Sequence, residues 1–211
     1  MGQTPQLPAK LRPAGLDEWA GEERSLCGVH ICEAQAENIE FYKSELRQCV
    51  IENCCLDGCD FEGTAFYDVE FRACSLRNCR LTDVYFERCH LVDCKCVGTR
   101  LDGAVLKETL FEGCDLRYAV LDRARLTTVT LRGCDLSEAS LTELRLRALQ
   151  VLQCRFIKTS FFKTPLQGVD FSSCELAGPV VSSPPTELKG AVIAPEQAAD
   201  LVGLLGVKIK K

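Results

Sequence analysis

Cys114-Asp115-Leu116-Arg117-Tyr118 is followed twenty residues later by Cys134-Asp135-Leu136-Ser137-Glu138. Each block has a leucine at its centre, a cysteine two places earlier, and polar residues in the remaining places. Stepping outward from Leu116 by fives, the central place passes through Phe111, Leu106 and Leu101 back to Phe41, and through Leu121 and Leu126 on to Phe171 and Leu176. Of these 28 positions 27 are Leu, Phe, Ile or Val, Cys96 being the exception, and nine of the ten Phe of the chain fall here. The place two residues earlier is small or short in most blocks, as at Ser44, Cys49, Cys54, Cys59, Thr64, Val69 and Cys74. A period of five is neither the 2 of a strand nor the 3.6 of a helix. It marks a stacked array of identical units.

A second period gives the winding. Cys54, Cys74, Cys94, Cys114, Cys134, Cys154 and Cys174 recur every twenty residues. Four five-residue sides per turn stack these thiols on one face, whereas a turn of 15 or 25 residues aligns no such set. The Leu/Phe column then fills the middle of a square coil and the small column fits near its corners. Turns spaced like hydrogen-bonded strands, about 4.8 Å apart, make residues 41–176 a rod of nearly seven turns, roughly 30–35 Å long.

The pattern small–polar–Leu/Phe–polar–polar in residues 114–118 and 134–138 resembles the pentapeptide repeat family, over about two thirds of the chain. The resemblance implies an all-β fold, a right-handed quadrilateral β-helix, with a C-terminal capping α-helix. Residues 1–25 read as an N-terminal arm, 26–181 as the repeat β-helix, and 182–211 as a C-terminal cap of helix and strand that also dimerises.

Pro5, Pro8 and Pro13 keep the arm irregular, and Leu16-Asp17-Glu18-Trp19 forms a turn that lays Trp19 on the first coil. From 25 to 40 the register is ragged, with Leu26 and Ile31 in step and Ala36 barely so. Pro165 occupies an outward slot, and Pro179, Pro184 and Pro185 end the repeat because proline has no N–H for a ladder. In the tail, Pro195 and Glu196 suit a helix start and Gly206 its end, with Ala198, Leu201, Val202 and Leu205 on one apolar face. An open solenoid end needs such a cover. The tail is similar to the ending of the quinolone-resistance (Qnr) branch, in which a helix and last strand join two rods end to end. That similarity implies a homodimer through Leu201, Leu204, Leu205, Val207 and Ile209.

Fifteen cysteines in a short secreted chain would suggest a disulfide scaffold. No charged-then-apolar leader opens the sequence and no apolar run is long enough to span a membrane, so a cytoplasmic protein with reduced thiols is expected. Eleven cysteines lie in the small-residue column and read as core filling.

An enzyme finds little support. The two histidines are His30 and His90; the second follows an inward-facing Cys89 and is expected on the solvated surface. Cys27, His30 and Cys32 form a Cys-x2-His-x-Cys cluster without a fourth ligand, so no metal site is expected, and no phosphate loop or cofactor motif occurs. No catalytic residue is assigned.

Charge bears on partners. The chain carries 30 acids and 25 bases, a net charge of −5, and no basic stripe of the kind direct nucleic-acid binding wants. The distribution is uneven. Glu52, Asp57, Asp60, Glu62, Asp68 and Glu70 occur with no base among them, whereas residues 117–163 hold nine bases against four acids. The Qnr branch protects DNA gyrase and topoisomerase IV from quinolones by presenting a DNA-like surface. The resemblance therefore implies a bacterial type II topoisomerase as partner, met by the acidic block, although this chain lacks projecting loops and is only weakly acidic. The alternative is a protein-interaction scaffold with another partner.

Overall fold

The computed structural model describes residues 4–208 as a parallel β-helix wound in four-sided turns, about eight in all. From Ser25 onward the strands pair at an offset of twenty residues: Ser25 with Glu45, Val105 with Arg125, Phe111 with Leu131, Phe156 with Leu176. Each turn is therefore four pentapeptides. The first side carries short strands centred on Leu46, Phe66, Phe86 and Leu106, and the second carries strands centred on Ile51, Phe71, Leu91 and Phe111. The third and fourth sides are joined by single bridges, Cys55–Ser75–Lys95–Asp115 and Asp60–Arg80–Arg100–Val120.

The corners explain why the unit is five residues long. Every fifth residue from Glu23 to Gly168, two places after each central residue, has φ near +50° to +80°. Left-handed backbone turns the chain through each corner, at a cost of about 1–2 kcal/mol for most side chains and little for Gly. The corner column accordingly holds Gly58, Gly63, Gly98, Gly103 and Gly113 alongside Asn38, Asn53, Asn78, Asp68, Asp83 and Asp93. Glycine also leaves room at some corners: a Cβ on Gly103 would meet Oδ1 of Asp83, one turn below, and that side chain would have to turn away.

The central column is buried throughout except at Leu146. Rings stack along the axis, Phe41 on Phe61 at 5.1 Å and Phe66 on Phe86 at 4.8 Å. No space for a water molecule lies among Phe61, Phe66, Phe71, Leu76, Leu81 and Phe86.

The cysteine column does more than fill space. The S–H of Cys134 donates to the carbonyl of Phe111 (3.4 Å), Cys114 to Leu91 (3.2 Å) and Cys94 to Phe71 (3.5 Å), in each case 23 residues back on the turn below. Thr64 and Thr99 place hydroxyls on Phe41 and Leu76 in the same way, at 2.9 and 2.7 Å. A small side chain with a donor thus satisfies a buried carbonyl. Of the seven-thiol column, Cys54 to Cys154 are buried and Cys174 is half-exposed.

Trp19, fully buried after the single turn Leu16–Glu18, closes the N-terminal end against Phe41 (4.6 Å) and Phe61 (5.3 Å). Arg12 and Pro13 pair with Val29 and His30, and the Gln6 N–H reaches Asp68. At the C-terminal end, Gln197 donates to the carbonyls of Phe171 (3.0 Å) and Cys174 (2.7 Å). The carboxylate of Glu187 accepts from the N–H of Lys163 (2.8 Å) and from Ser182. The tail contains the short helix Ala198–Val202, a further turn over Gly203–Leu205, and Gly206 at φ 74°. No strand forms at Val207 or Lys208; Ile209 lies outside the described residues.

The ladder is not continuous, although the sequence runs on in register. Strand Arg145–Leu152 pairs below with Arg125–Arg132. Among the described residues no backbone hydrogen bond joins it to 165–172 above. Arg145 N–H donates to Ala124, but Pro165, the residue that would repeat this bond to Leu144, has no N–H. A gap of about 390 Å³, lined by Leu149, Val151, Gly168 and Asp170, remains, and Leu146 on the same strand is only partly covered.

Candidate interaction surface

The repeat turns two residues outward between each inward pair, so side chains twenty apart in sequence become neighbours on the outside of the rod. This governs the acidic block. Glu52 and Glu70 lie on the second side, Asp57 on the third, Asp60 and Glu62 on the fourth, and Asp68 at the corner after the first. They do not form one patch. Each also faces an arginine: Glu52 and Glu70 face Arg72 (3.9 and 2.7 Å), Asp57 faces Arg77 (3.6 Å), Asp60 and Glu62 face Arg80, and Asp68 is gripped by Arg88 through two bonds of 2.7 and 2.8 Å. Burial would raise the Asp68 carboxyl, but Arg88 and the Gln6 N–H outweigh it and hold it below its ordinary value.

Unpaired charge lies elsewhere. Among the described residues ten of the fifteen arginines are ion-paired. Four of the other five are Arg123, Arg125, Arg145 and Arg147, exposed on the first side and its leading corner. Arg125 and Arg145 are direct ladder partners, as are Thr127 and Arg147. A groove of about 650 Å³ runs beside them, lined by Asp83, Gly103, Val105, Arg123, Arg125, Glu143 and Arg145. Gly103 and Val105, on the turn below Arg123 and Arg125, have the shortest side chains of its lining. Of its two acids, Glu143 is held by Lys163 at 3.0 Å. These bases can be counted in the sequence, but it is the winding that stacks them and leaves them without carboxylates among the described residues. The spacing of Arg125 to Arg145 by one full period was the available signal.

Neither histidine is free on the surface. His30 Nε2 lies 2.9 Å from Glu52 Oε2. His90, expected in solvent, is half-buried between its ladder partners Glu70 and Leu110; its Nε2 has no partner among the described residues, and burial pushes its pKa below the ordinary value. The outward row of a side is narrow enough that ladder neighbours shield a ring.

In the tail, Leu201 packs partly on the core and Leu204 is half-exposed, whereas Leu205 and Val207 are 66% and 51% exposed. Leu201 and Leu205 line an apolar groove of about 340 Å³ with Pro185, Leu188, Ile193 and Val202. Among the described residues no helix is long and apolar enough to cross a membrane.

The pentapeptide repeat region model matches residues 65–141, and the model for pentapeptide repeats in eight copies matches 44–83. No curated protein matches the chain. Among solved structures it is similar to HetL, a pentapeptide repeat protein involved in heterocyst differentiation regulation from the cyanobacterium Nostoc sp. strain PCC 7120. Identity is 20%, the TM-score is 0.54, and the match covers 83% of this chain and 92% of that one. It also matches QnrB1, a plasmid-mediated fluoroquinolone resistance protein, in its trypsin-treated form, at 17% identity and TM-score 0.38, covering 88% of this chain and 100% of that one. Rfr23 from the cyanobacterium Cyanothece 51142 follows at 16% identity and TM-score 0.21, over 81% and 88% of the two chains. At such identities the likeness to HetL speaks for the fold alone; the repeat models over residues 44–141 and the twenty-residue winding make the chain similar to the pentapeptide repeat proteins.

Proposed function

We propose that the chain is a non-enzymatic, protein-binding rod whose working surface is the arginine groove of the first side. The observation that carries this is the cluster Arg123, Arg125, Arg145 and Arg147, exposed and, among the described residues, unpaired on a rod that pairs ten of its fifteen arginines. Stacked like charges lower stability, and an acidic protein surface is the partner that would relieve them. Guanidinium groups suit such contacts because their fork of donors matches carboxylates two at a time. The non-enzymatic part rests on the histidines, one engaged by Glu52 and the other half-buried.

A second function is the one implied by the family resemblance: binding a bacterial type II topoisomerase, DNA gyrase or topoisomerase IV, in place of DNA and protecting it from quinolones. The apolar tail groove favours it, because two rods joined there would form a long, charge-patterned body. The acidic block favours it less, with every member facing an arginine.

The two functions call on opposite charges, so one experiment separates them. A gyrase supercoiling assay, with and without a quinolone, is run with the wild-type rod, with Asp57→Lys/Asp60→Lys/Glu62→Lys, and with Arg125→Glu/Arg145→Glu. Protection or inhibition lost only in the first variant supports the topoisomerase function. No effect from the wild type at large molar excess removes it. The protein-binding function is then tested by affinity capture from the host, where the retained acidic partner must be released by salt and by Arg125→Glu/Arg145→Glu.

A further inference from the structure

The sequence brings Cys27, His30 and Cys32 together without a fourth ligand, and the winding changes the set. His30 and Cys32 are alternate residues of strand Val29–Cys32, so both point outward on the second side. One turn later Glu52 is the ladder partner of Cys32. The imidazole of His30, the thiol of Cys32 and the carboxylate of Glu52 each offer a ligand atom, and these atoms lie within 4.8 Å of one another. Cys27 has left the group: around the corner its Sγ lies 4.0 Å from Gln48 Oε1.

A plain His30–Glu52 hydrogen bond accounts for two of the three groups. It does not account for Cys32, since among fifteen cysteines only Cys27 and Cys32 are exposed, and Cys32 is the one set beside an imidazole and a carboxylate.

We propose that His30, Cys32 and Glu52 bind a divalent transition-metal cation of the Zn²⁺ class, with the fourth position open to water. The donor set argues for that class. One nitrogen, one sulfur and one oxygen suit Zn²⁺ or Co²⁺, whereas Ca²⁺ and Mg²⁺ seek six or more oxygens. Ligand bonds of about 2.0–2.3 Å in a tetrahedron set ligand atoms roughly 3.3–3.8 Å apart. Binding calls for side-chain rotation to bring the three ligand atoms, now within 4.8 Å of one another, to that spacing. On binding, Cys32 gives its proton to solvent, and the resulting thiolate and the Glu52 carboxylate together balance the double charge of the ion. Arg72 Nη1, 3.9 Å from Glu52 Oε1, competes for that carboxylate and must swing toward Glu70, with which it already pairs at 2.7 Å. The ion would tie the first full turn to the second, beside the end that only Trp19 and the arm close.

The test uses the full-length, reduced, metal-free protein titrated with Co²⁺ under anaerobic conditions. One equivalent should give a thiolate-to-cobalt charge-transfer band in the near ultraviolet, which Zn²⁺ then bleaches, and Zn²⁺ should raise the melting temperature. Cys32→Ser should lose the band and the rise, whereas Cys27→Ser and Cys55→Ser keep both. His30→Gln should weaken Co²⁺ binding by more than about tenfold while leaving circular dichroism unchanged. No band in the wild type, a band that survives Cys32→Ser, or unchanged affinity in His30→Gln overturns the proposal.

Discussion

Arg145 lies directly above Arg125 in the parallel ladder, and among the described residues no carboxylate pairs with either guanidinium. Like charges in register on neighbouring strands oppose folding, by an amount comparable to what opposite charges contribute there, about 0.2–1 kcal/mol. Like charges also stand in register at Arg80–Arg100 and Asp115–Asp135, but there each has an opposite partner (Asp60, Asp102, Arg117 and Arg155), whereas Arg125 and Arg145 have none among the described residues. The exception is therefore a place where stability has been given up, as happens at binding surfaces.

Arg145→Glu should accordingly do what few surface substitutions do. It creates an opposite-charge pair with Arg125 and raises stability by about 0.2–1 kcal/mol in chemical denaturation, while abolishing capture of an acidic partner. Lower stability in this variant would mean that the two guanidinium groups are not in conflict.

Thiol reactivity follows burial. Cys27 and Cys32 are exposed, Cys55 and Cys174 half-exposed, and the other eleven buried. Burial pushes the Cys89 thiol up to about 12, so the nucleophilic thiolate is scarce there at neutral pH. Titration with a thiol reagent should label at most four groups in the folded protein and fifteen after denaturation. Rapid labelling of more than four would contradict the packing of the column.

The inside of the rod was legible in the sequence because it repeats without a slip: Phe41 to Leu176 by fives, and Cys54 to Cys174 by twenties, fix the pitch and the four sides. The corner column was equally periodic but harder to see. Lys43, Arg88 and Tyr118 take left-handed backbone beside Gly58, Asn78 and Asp83, so its chemistry is diluted. Ion pairs needed only addition of twenty to each acid, Asp57 to Arg77 and Asp68 to Arg88, yet composition along the chain suggested an acidic block instead. The open ladder at Pro165 depends on which carbonyl its missing N–H would have reached, and the shielding of His90 depends on its ladder partners. Both are properties of the wound coil rather than of any single pentapeptide.

Core and surface should respond to truncation very differently. Phe111 is 2% exposed between its ladder partners Leu91 and Leu131, and Phe111→Ala should cost roughly 3–5 kcal/mol. Arg132, paired at 3.2 Å with Glu112 while both are about 40% exposed, should lose no more than about 1 kcal/mol on Arg132→Ala. Urea denaturation of the two variants checks this, and similar losses would refute the inside–outside assignment.

Acid should loosen the rod at identifiable carboxylates. Glu87 accepts from Lys107 (2.8 Å) and Tyr85 (2.7 Å), and these bonds hold its pKa down to about 2 against an ordinary 4.5. Because the folded value is lowered, this stabilisation is complete above about pH 4.5 and is lost as pH falls toward 2. Glu187 in the C-terminal closure adds to the same limb: burial would raise its pKa, but Ser182 and backbone N–H groups bring it below the ordinary value. Glu87→Gln should cost roughly 1.5–3 kcal/mol at neutral pH. It should also flatten the loss of stability between pH 4.5 and 2, measured by denaturation at fixed pH. An unchanged acid limb would remove Glu87 from the account.

The tail should join two rods. Helix Ala198–Val202 and the turn after it can cover only the end of their own coil, yet Leu205 is 66% and Val207 51% exposed beside the apolar groove of Leu188, Ile193 and Leu201. A twofold mate placing the same patch against this one would remove both from water in a single self-complementary contact. Light scattering of the intact protein at micromolar concentration should then give about twice the 23.3 kDa chain mass. Leu205→Asp, which puts a charge in the contact without touching the buried core, should shift the mass to that of one chain and leave circular dichroism unchanged. Leu201 is a poorer choice for this test because it also packs on the core, so its loss would loosen the cap as well as the contact. An intact protein that scatters as a monomer, or a Leu205→Asp variant that remains a dimer, would show that the exposed tail is not the joint.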